Sequence, residues 1–466
     1  MRRVIRLLFG VAVIVALVAG GAFYLAGQAP GPAIEIVRPA AAVGIEATLE
    51  LVLETPAGQL SRLEATLVQD GQRFPIFSLA QPEDATITQD AVNRIRIRRT
   101  FGRRMLPALN PGVADLEIVA SRPVLFGFRH VESFETRALR LRFEPPQLQV
   151  LSNHHFVNHG GAEMVVYRIT PSDATSGVRV GDRDHPGYPA TGAGVPGDDP
   201  ALRVAFFALS HDQDLNVPMQ VFGIDEADNT GLVRLDHQAF AKPFRRSRLP
   251  VDDRFFERVV PTILARSPDL VVETGDNTLL QGFLAVNGEL RRLNADTIAS
   301  FATASAPEIL WSGAFRQLGN SQVESAFADH RTYLYEGAEV DQQVHLGFDL
   351  ASTARAPIGA ANRGRVVFAD YLGIYGNCVI LDHGMGVQSL YAHLSSIDVS
   401  VGQRVEQNDA LGRSGATGLA GGDHLHFTML VHGQPVNPVE WWDPHWIQDR
   451  ISRKLAEAGA RAAPTR

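Results

Sequence analysis

Five metal- or proton-handling side chains fall in three short segments near the C-terminus, and their spacing constrains the fold more than any other feature. The segments are V-H-L-G-F-D-L at 344–350, Y-A-H-L at 391–394 and H-L-H-F at 424–427. Valine, isoleucine and turn glycines fill the intervals, which predicts strands. Residues two or four apart on a strand share a face, so His345 goes with Asp349 and His424 with His426. Gly347 argues against a helical arrangement of the first pair. Laid side by side in one sheet, with His393, these segments bring the five groups to one surface. That is the skeleton of an open metal site.

Two neutral imidazoles and one carboxylate suit Zn²⁺, and a catalytic zinc keeps a fourth position for water. Such a water has a pKa near about 7 and supplies hydroxide at neutral pH. Three ligands drawn from five groups leave two histidines to orient the water, polarise a carbonyl or protonate a leaving amine. This is amide-hydrolysis chemistry. Taken singly, each histidine is more simply a hydrogen-bonded strand residue, so the reading rests on the ordered set. His383 and His432 lie in the same region and are left out of the site.

The same residues resemble the lysostaphin-type or LytM-like zinc metallopeptidases of family M23, which cut the peptide part of bacterial cell wall. The resemblance covers roughly residues 315–440. The family's H-x-G-x-D is His345-Leu346-Gly347-Phe348-Asp349, its H-x-H is His424-Leu425-His426, and its Y-x-H-L runs from Tyr391 to Leu394. The resemblance implies one zinc per chain on His345, Asp349 and His426, with His393 and His424 as the catalytic histidines. It leaves the proton-transfer roles of those two unassigned. Gly422-Asp423 stands before the H-x-H where the family often has Gly-Pro, which removes no ligand.

A chain of 466 residues exceeds one ordinary core. Its net charge of −8 argues against a nucleic-acid partner. The single cysteine, Cys378, excludes an internal disulfide and reads as a buried, inert thiol.

Arg2, Arg3 and Arg6 precede an uncharged apolar run from Leu7 to Gly27, long enough to cross a hydrocarbon core of about 30 Å. The cationic flank keeps the N-terminus inside and exports the remainder of the chain. A cleaved signal is the alternative, but its apolar core is usually shorter, about 7–15 residues. Both readings export the enzyme; by analogy with the Gram-negative envelope, the expected place is the inner membrane, single-pass, with the catalytic domain in the periplasm.

Alternating segments at 33–37, 47–54, 63–68, 95–102 and 139–143 predict an antiparallel, immunoglobulin-like sandwich. Its arginine-rich strand Asn93 to Arg104 reads as a solvated outer face. His154, His155 and His159 read as an exposed loop, residues 176–200 as an irregular loop, and Asp225, Asp228 and Asn229 as a turn. Asp252 caps a helix that Pro261 is expected to kink or divide. A second helical stretch is expected around Leu290 to Ala304, and Trp441, Trp442 and Trp446 are expected to seal a domain edge.

The expected architecture is mainly β. It comprises a transmembrane signal-anchor (1–28), a β-sandwich (33–146), a second immunoglobulin-like domain (147–250), a helical connector (251–308), a LytM-like antiparallel peptidase sheet (309–443) and a tail (444–466). The expected function is an exported, membrane-anchored zinc endopeptidase acting on peptidoglycan peptide stems. The alternative is a non-catalytic, wall-binding regulator of other hydrolases, as in relatives that have lost ligands.

Overall fold

In the computed structural model, which describes residues 2–56, 59–272 and 278–462, the apolar N-terminal run is the helix Arg2–Ala26. None of its side chains is buried against protein, and at 1.5 Å per residue it is about 37 Å long. The rest of the chain is mainly β. It divides into two compact units, Met1–Pro146 with Ile224–Gly231, and Gln147–Gly223 with Leu232–Arg466.

The first unit packs two sheets face to face. One has the order Ala33–Arg38, Ala47–Glu54, Arg94–Phe101, Ala85–Ala91; the other runs Ala42–Val43, Arg129–Leu141, Gly112–Val124, Arg62–Gln69, Gln72–Ser78. Leu49, Leu51 and Leu53 meet Leu63, Ala65, Leu67 and Ile118 in its core. The period of two in the sequence selects these inward residues. The arginine-rich strand does face outward, but its charges are tied. Arg96 and Arg98 hold Glu50 at 2.5 and 2.9 Å, and Arg96 also holds Asp90 at 3.0 Å. The turn expected at Asp225 is present: its carboxylate accepts from the Ala227 and Asn229 amides and from Asn229 Nδ2, each at 2.9 Å.

In the second unit, Gln147–Val150, Ala162–Thr170, Leu202–Ala208 and Tyr188–Pro189 form one sheet, with Thr175–Val180 and Arg183–Pro186 hairpinned in another. The 176–200 stretch is thus not simply an irregular loop, because the turn residues Gly181-Asp182 allow its flanks to pair. The expected exposed histidine loop is also corrected. His155 is buried in the strand His155–Asn158, held by Ser152 Oγ at 2.8 Å and the Asp236 carbonyl at 2.9 Å, while His154 stays exposed. Apolar neighbours at 156 and 157 carry it into the core.

Asp252 accepts the Phe255 amide and starts the helix Asp253–Ala265, whose Phe256, Val259, Val260 and Ile263 are buried. Pro261 lies inside this helix without dividing it. The second helical stretch begins earlier than expected, at Thr278–Ala285, and continues through residues 286–290 into Arg291–Phe301. Residues 273–277 of the expected connector and 463–466 of the expected tail lie outside the described residues.

The C-terminal sheet has at its centre Phe348–Ala351, Leu425–Val431, Val387–Leu394, Asn377–Gly384 and Gly364–Tyr371, in that order and antiparallel. Beside it, Arg246–Val251, Asp329–Tyr335 and Ala338–His345 make a separate three-stranded sheet. Trp441 is fully buried and packs on Trp311, Phe315 and Phe206, so the closing tryptophans do seal the core. Cys378 is fully buried too, and burial pushes its thiol pKa up.

Candidate metal centre

Sheet order sets the site. Asp349 pairs with His426, and His426 pairs on its other side with Ala392, next to His393. His424 precedes the same strand and bridges Gly415. His345 arrives differently from the sequence expectation. It ends the strand Ala338–His345 of the neighbouring sheet, and the chain turns at Leu346-Gly347 before the strand carrying Asp349 begins. His345 and Asp349 therefore meet across a corner between sheets rather than along one strand. The corner needs glycine: a Cβ at Gly347 would lie 2.6 Å from the His426 ring and 2.6 Å from Thr428 Oγ1.

All five sequence-selected side chains reach one cavity of about 360 Å³. His345 Nε2 lies 2.9 Å from Asp349 Oδ1 and 2.9 Å from His426 Nδ1. His426 Nδ1 lies 3.0 Å, and His424 Nε2 3.4 Å, from the same carboxylate oxygen. The His393 and His424 rings are 4.9 Å apart.

Hydrogen bonds behind the rings fix their tautomers. His345 Nδ1 faces the Ala326 carbonyl at 3.2 Å; a carbonyl only accepts, so Nδ1 carries the hydrogen and Nε2 a lone pair. Thr428 Oγ1 donates to the Leu346 carbonyl at 3.0 Å, hence accepts from His426 Nε2 at 3.0 Å and leaves Nδ1 bare. Three acceptors, two ring nitrogens and a carboxylate oxygen, thus crowd together. A proton satisfies one pair of them; a metal cation satisfies all three. Bonds of 2.0–2.2 Å at tetrahedral angles put ligand atoms about 3.3–3.6 Å apart, a few tenths of an ångström beyond the separations here. The donor set fits a metal ion, and among the described residues it is the one His/Cys/Asp/Glu group close enough to hold one.

Electrostatics follow the same geometry. Burial opposes the Asp349 carboxylate, yet the His345, His424 and His426 rings around it hold its carboxyl well below the usual carboxylate range. Burial drives His393 well below the imidazole range, helped by the His424 and His426 rings. His426 is pulled by burial to about 4. Burial would lower His424 too, but its hydrogen bond to Asp349 outweighs this and raises it. His393 also has φ +60°, a left-handed conformation uncommon outside glycine that clusters at functional sites.

Arg331 was not singled out from sequence. Its Nη2 donates to Asp349 Oδ2 at 2.9 Å and to Ser325 Oγ at 2.8 Å, leaving Oδ1 for the ring nitrogens. The signal was a charged residue alternating with Asp329 and Tyr333 on the strand whose partner ends at His345. The cavity is also lined by Arg291, Ala295 and Ala299 of the helix Arg291–Phe301 and by His211 and Asp212, just past the strand Leu202–Ala208.

Residues 343–438 match the model of Peptidase family M23. The DD-carboxypeptidase/endopeptidase Mpg of Neisseria meningitidis is 40% identical over 97 residues, which are 21% of this chain and 22% of that protein. The peptidoglycan DD-endopeptidase ShyA of Vibrio cholerae is 38% identical over 96 residues, 21% of this chain and 22% of its own. The chain spans about a fifth of the length of these curated relatives. Among solved structures, the catalytic domain of the antimicrobial peptidase lysostaphin from Staphylococcus simulans is 24% identical, covering 28% of this chain and 98% of that one with a TM-score of 0.25. The C-terminal segment of this chain, from residue 343 to residue 438, is a Peptidase family M23 domain.

Proposed function

We propose that the chain is an exported, membrane-anchored zinc endopeptidase that hydrolyses peptide cross-links of bacterial peptidoglycan. The observation that carries this reading is the convergence of His345 Nε2, Asp349 Oδ1 and His426 Nδ1 as mutually facing acceptors in one cavity with His393 and His424. Two neutral imidazoles and a carboxylate are a zinc donor set. When bound there, zinc supplies a Lewis acid and a water acidic enough to give hydroxide near neutral pH. The wall substrate is taken from the M23 domain and from the endopeptidase names of its relatives.

The remaining work falls to this chain's own side chains. His393 donates Nδ1–H to the Thr417 carbonyl at 2.8 Å, which leaves Nε2 to accept the proton of the attacking water. His424 donates Nδ1–H to the Gly422 carbonyl at 2.9 Å, and its Nε2 faces the Asp349 carboxylate. An imidazole placed so is stabilised in its charged form, suited to donate toward the scissile carbonyl oxygen or the leaving amine. Arg331 fixes the carboxylate rotamer from behind. The helix Arg2–Ala26, with arginines only at its start, is the anchor that places these domains in the periplasm.

The test uses the full chain on purified peptidoglycan. His345→Ala should lose bound zinc. His393→Ala should keep about one zinc per chain while cleavage of muropeptide dimers falls by roughly 10²–10⁴-fold. Normal hydrolysis by both variants would sink the assignment. Zinc retained by the unsubstituted chain with no cleavage would favour the regulator instead.

A further inference from the structure

The strands Gly112–Val124 and Arg129–Leu141 form a long hairpin, in register to Val124 opposite Arg129, whose tip is Leu125–Gly127. The tip displays apolar rings to solvent: Phe126 is 100% exposed and Phe128 81%. Leu125 and Phe126 adopt φ of +51° and +56°, a left-handed conformation rare for bulky apolar residues. Nothing among the described residues rewards that backbone cost, because the Phe126 side chain is fully exposed.

The same hairpin is fastened to the end of the apolar helix. Arg129 lies over the Phe23 ring, 4.6 Å from its centroid, and its Nη1 donates to the Phe23 carbonyl at 2.5 Å. Arg122 donates to the Pro30 carbonyl at 2.7 Å, tying the following linker to the hairpin as well. A side chain at Gly27 would collide with the Arg129 guanidinium. Phe23 stands three residues before the helix ends at Ala26, about 4.5 Å along the axis. Its level in a spanning helix is the boundary between acyl chains and headgroups, where aromatic rings and the apolar stems of arginines are favoured.

We infer that the hairpin tip is a second membrane contact: Phe126 and Phe128 enter the outer interface of the bilayer beside the point where Arg2–Ala26 emerges. The inference rests on the proposed anchoring of that helix. The two contacts together fix the tilt of the first sandwich on the membrane, which a single helix followed by the linker Gln28 to Ala33 would leave free. The exposed strained rings, the arginine on Phe23 and the helix of spanning length are independent parts of one geometry. A partner protein covering the tip would not explain why it is strapped to the helix end.

The test places an environment-sensitive fluorophore on Phe126→Cys in the full chain, reconstituted in phosphatidylethanolamine and phosphatidylglycerol vesicles. Cys378 is fully buried, so the introduced thiol is the one that labels. A fully exposed position tolerates the change. The expected result is blue-shifted emission, quenched at least about twofold by lipids with a nitroxide high on the acyl chain, and likewise for Phe128→Cys. Leu17→Cys, in the middle of the helix, reports on the anchor itself. If the Leu17 label is quenched and neither tip label is, the inference fails and the anchor stands. If no position is quenched, the anchor fails and the inference with it. A tip label that is blue-shifted yet untouched by lipid nitroxides sits against protein, which also overturns the inference.

Discussion

Glu163 and Asp349 are both buried carboxylates in the same unit, and the atoms facing them differ in kind. Glu163 is surrounded by donors: Lys454 Nζ at 2.8 Å, the Met164 amide at 2.7 Å and the Phe156 amide at 3.1 Å. Burial pushes its carboxyl up and the Lys454 ammonium down, and the donors hold the pair together against that pressure. Asp349 has the Arg331 donor on Oδ2 and the His424 ring 3.4 Å from Oδ1; the other nitrogens that Oδ1 faces, of His345 and His426, carry lone pairs. The first carboxylate closes its surroundings and ties the helix Arg453–Ala462 to the strand Ala162–Thr170. The second leaves them open for a cation. Burial and charge are alike in the two places, so the polarity of the neighbours separates a structural acid from one in a site.

The sharpest way to break this contrast is Asp349→Asn. An amide nitrogen there can donate to the bare ring nitrogens, so the metal-free protein should unfold at the same temperature or higher. Metal affinity should fall by more than about 100-fold, beyond the range usual for groups behind a ligand. Competition against a chelator measures the affinity, and an unchanged value would remove Asp349 from the site.

Next in size is Lys454→Met, which strands the Glu163 charge in the core. Denaturant unfolding should show a loss of about 3–5 kcal/mol, with metal affinity unaltered. A loss below about 1 kcal/mol would mean that the backbone donors suffice and that Lys454 is not the closing partner.

The smallest effect is expected at Arg331. Removing it by Arg331→Ala frees the Asp349 rotamer without taking a ligand, so metal should bind roughly 10–100-fold more weakly. Arg331→Lys should recover part of this through one donor. Equal affinity in all three forms would show that the guanidinium does not position the carboxylate.

Residue chemistry and short-range periodicity carried much of this protein in the sequence. The apolar run that became Arg2–Ala26, the alternating strands of the first sandwich, the Asp252 cap and the buried fate of Cys378 are local matters, decided by neighbours within a turn or two. The motif intervals also singled out the five side chains that share the cavity. Local pattern misled where pairing partners lay far off. The hairpin inside 176–200 and the burial of His155 depend on strands that only the folded chain supplies. The meeting of His345 with Asp349 across a sheet corner, the grip of Arg331, the bond of Lys454 to Glu163 across 291 residues and the strapping of Arg129 to Phe23 were decided by tertiary structure alone. A period of two says which face a side chain takes, but sheet order and register, set by closing the whole core, say what stands opposite it.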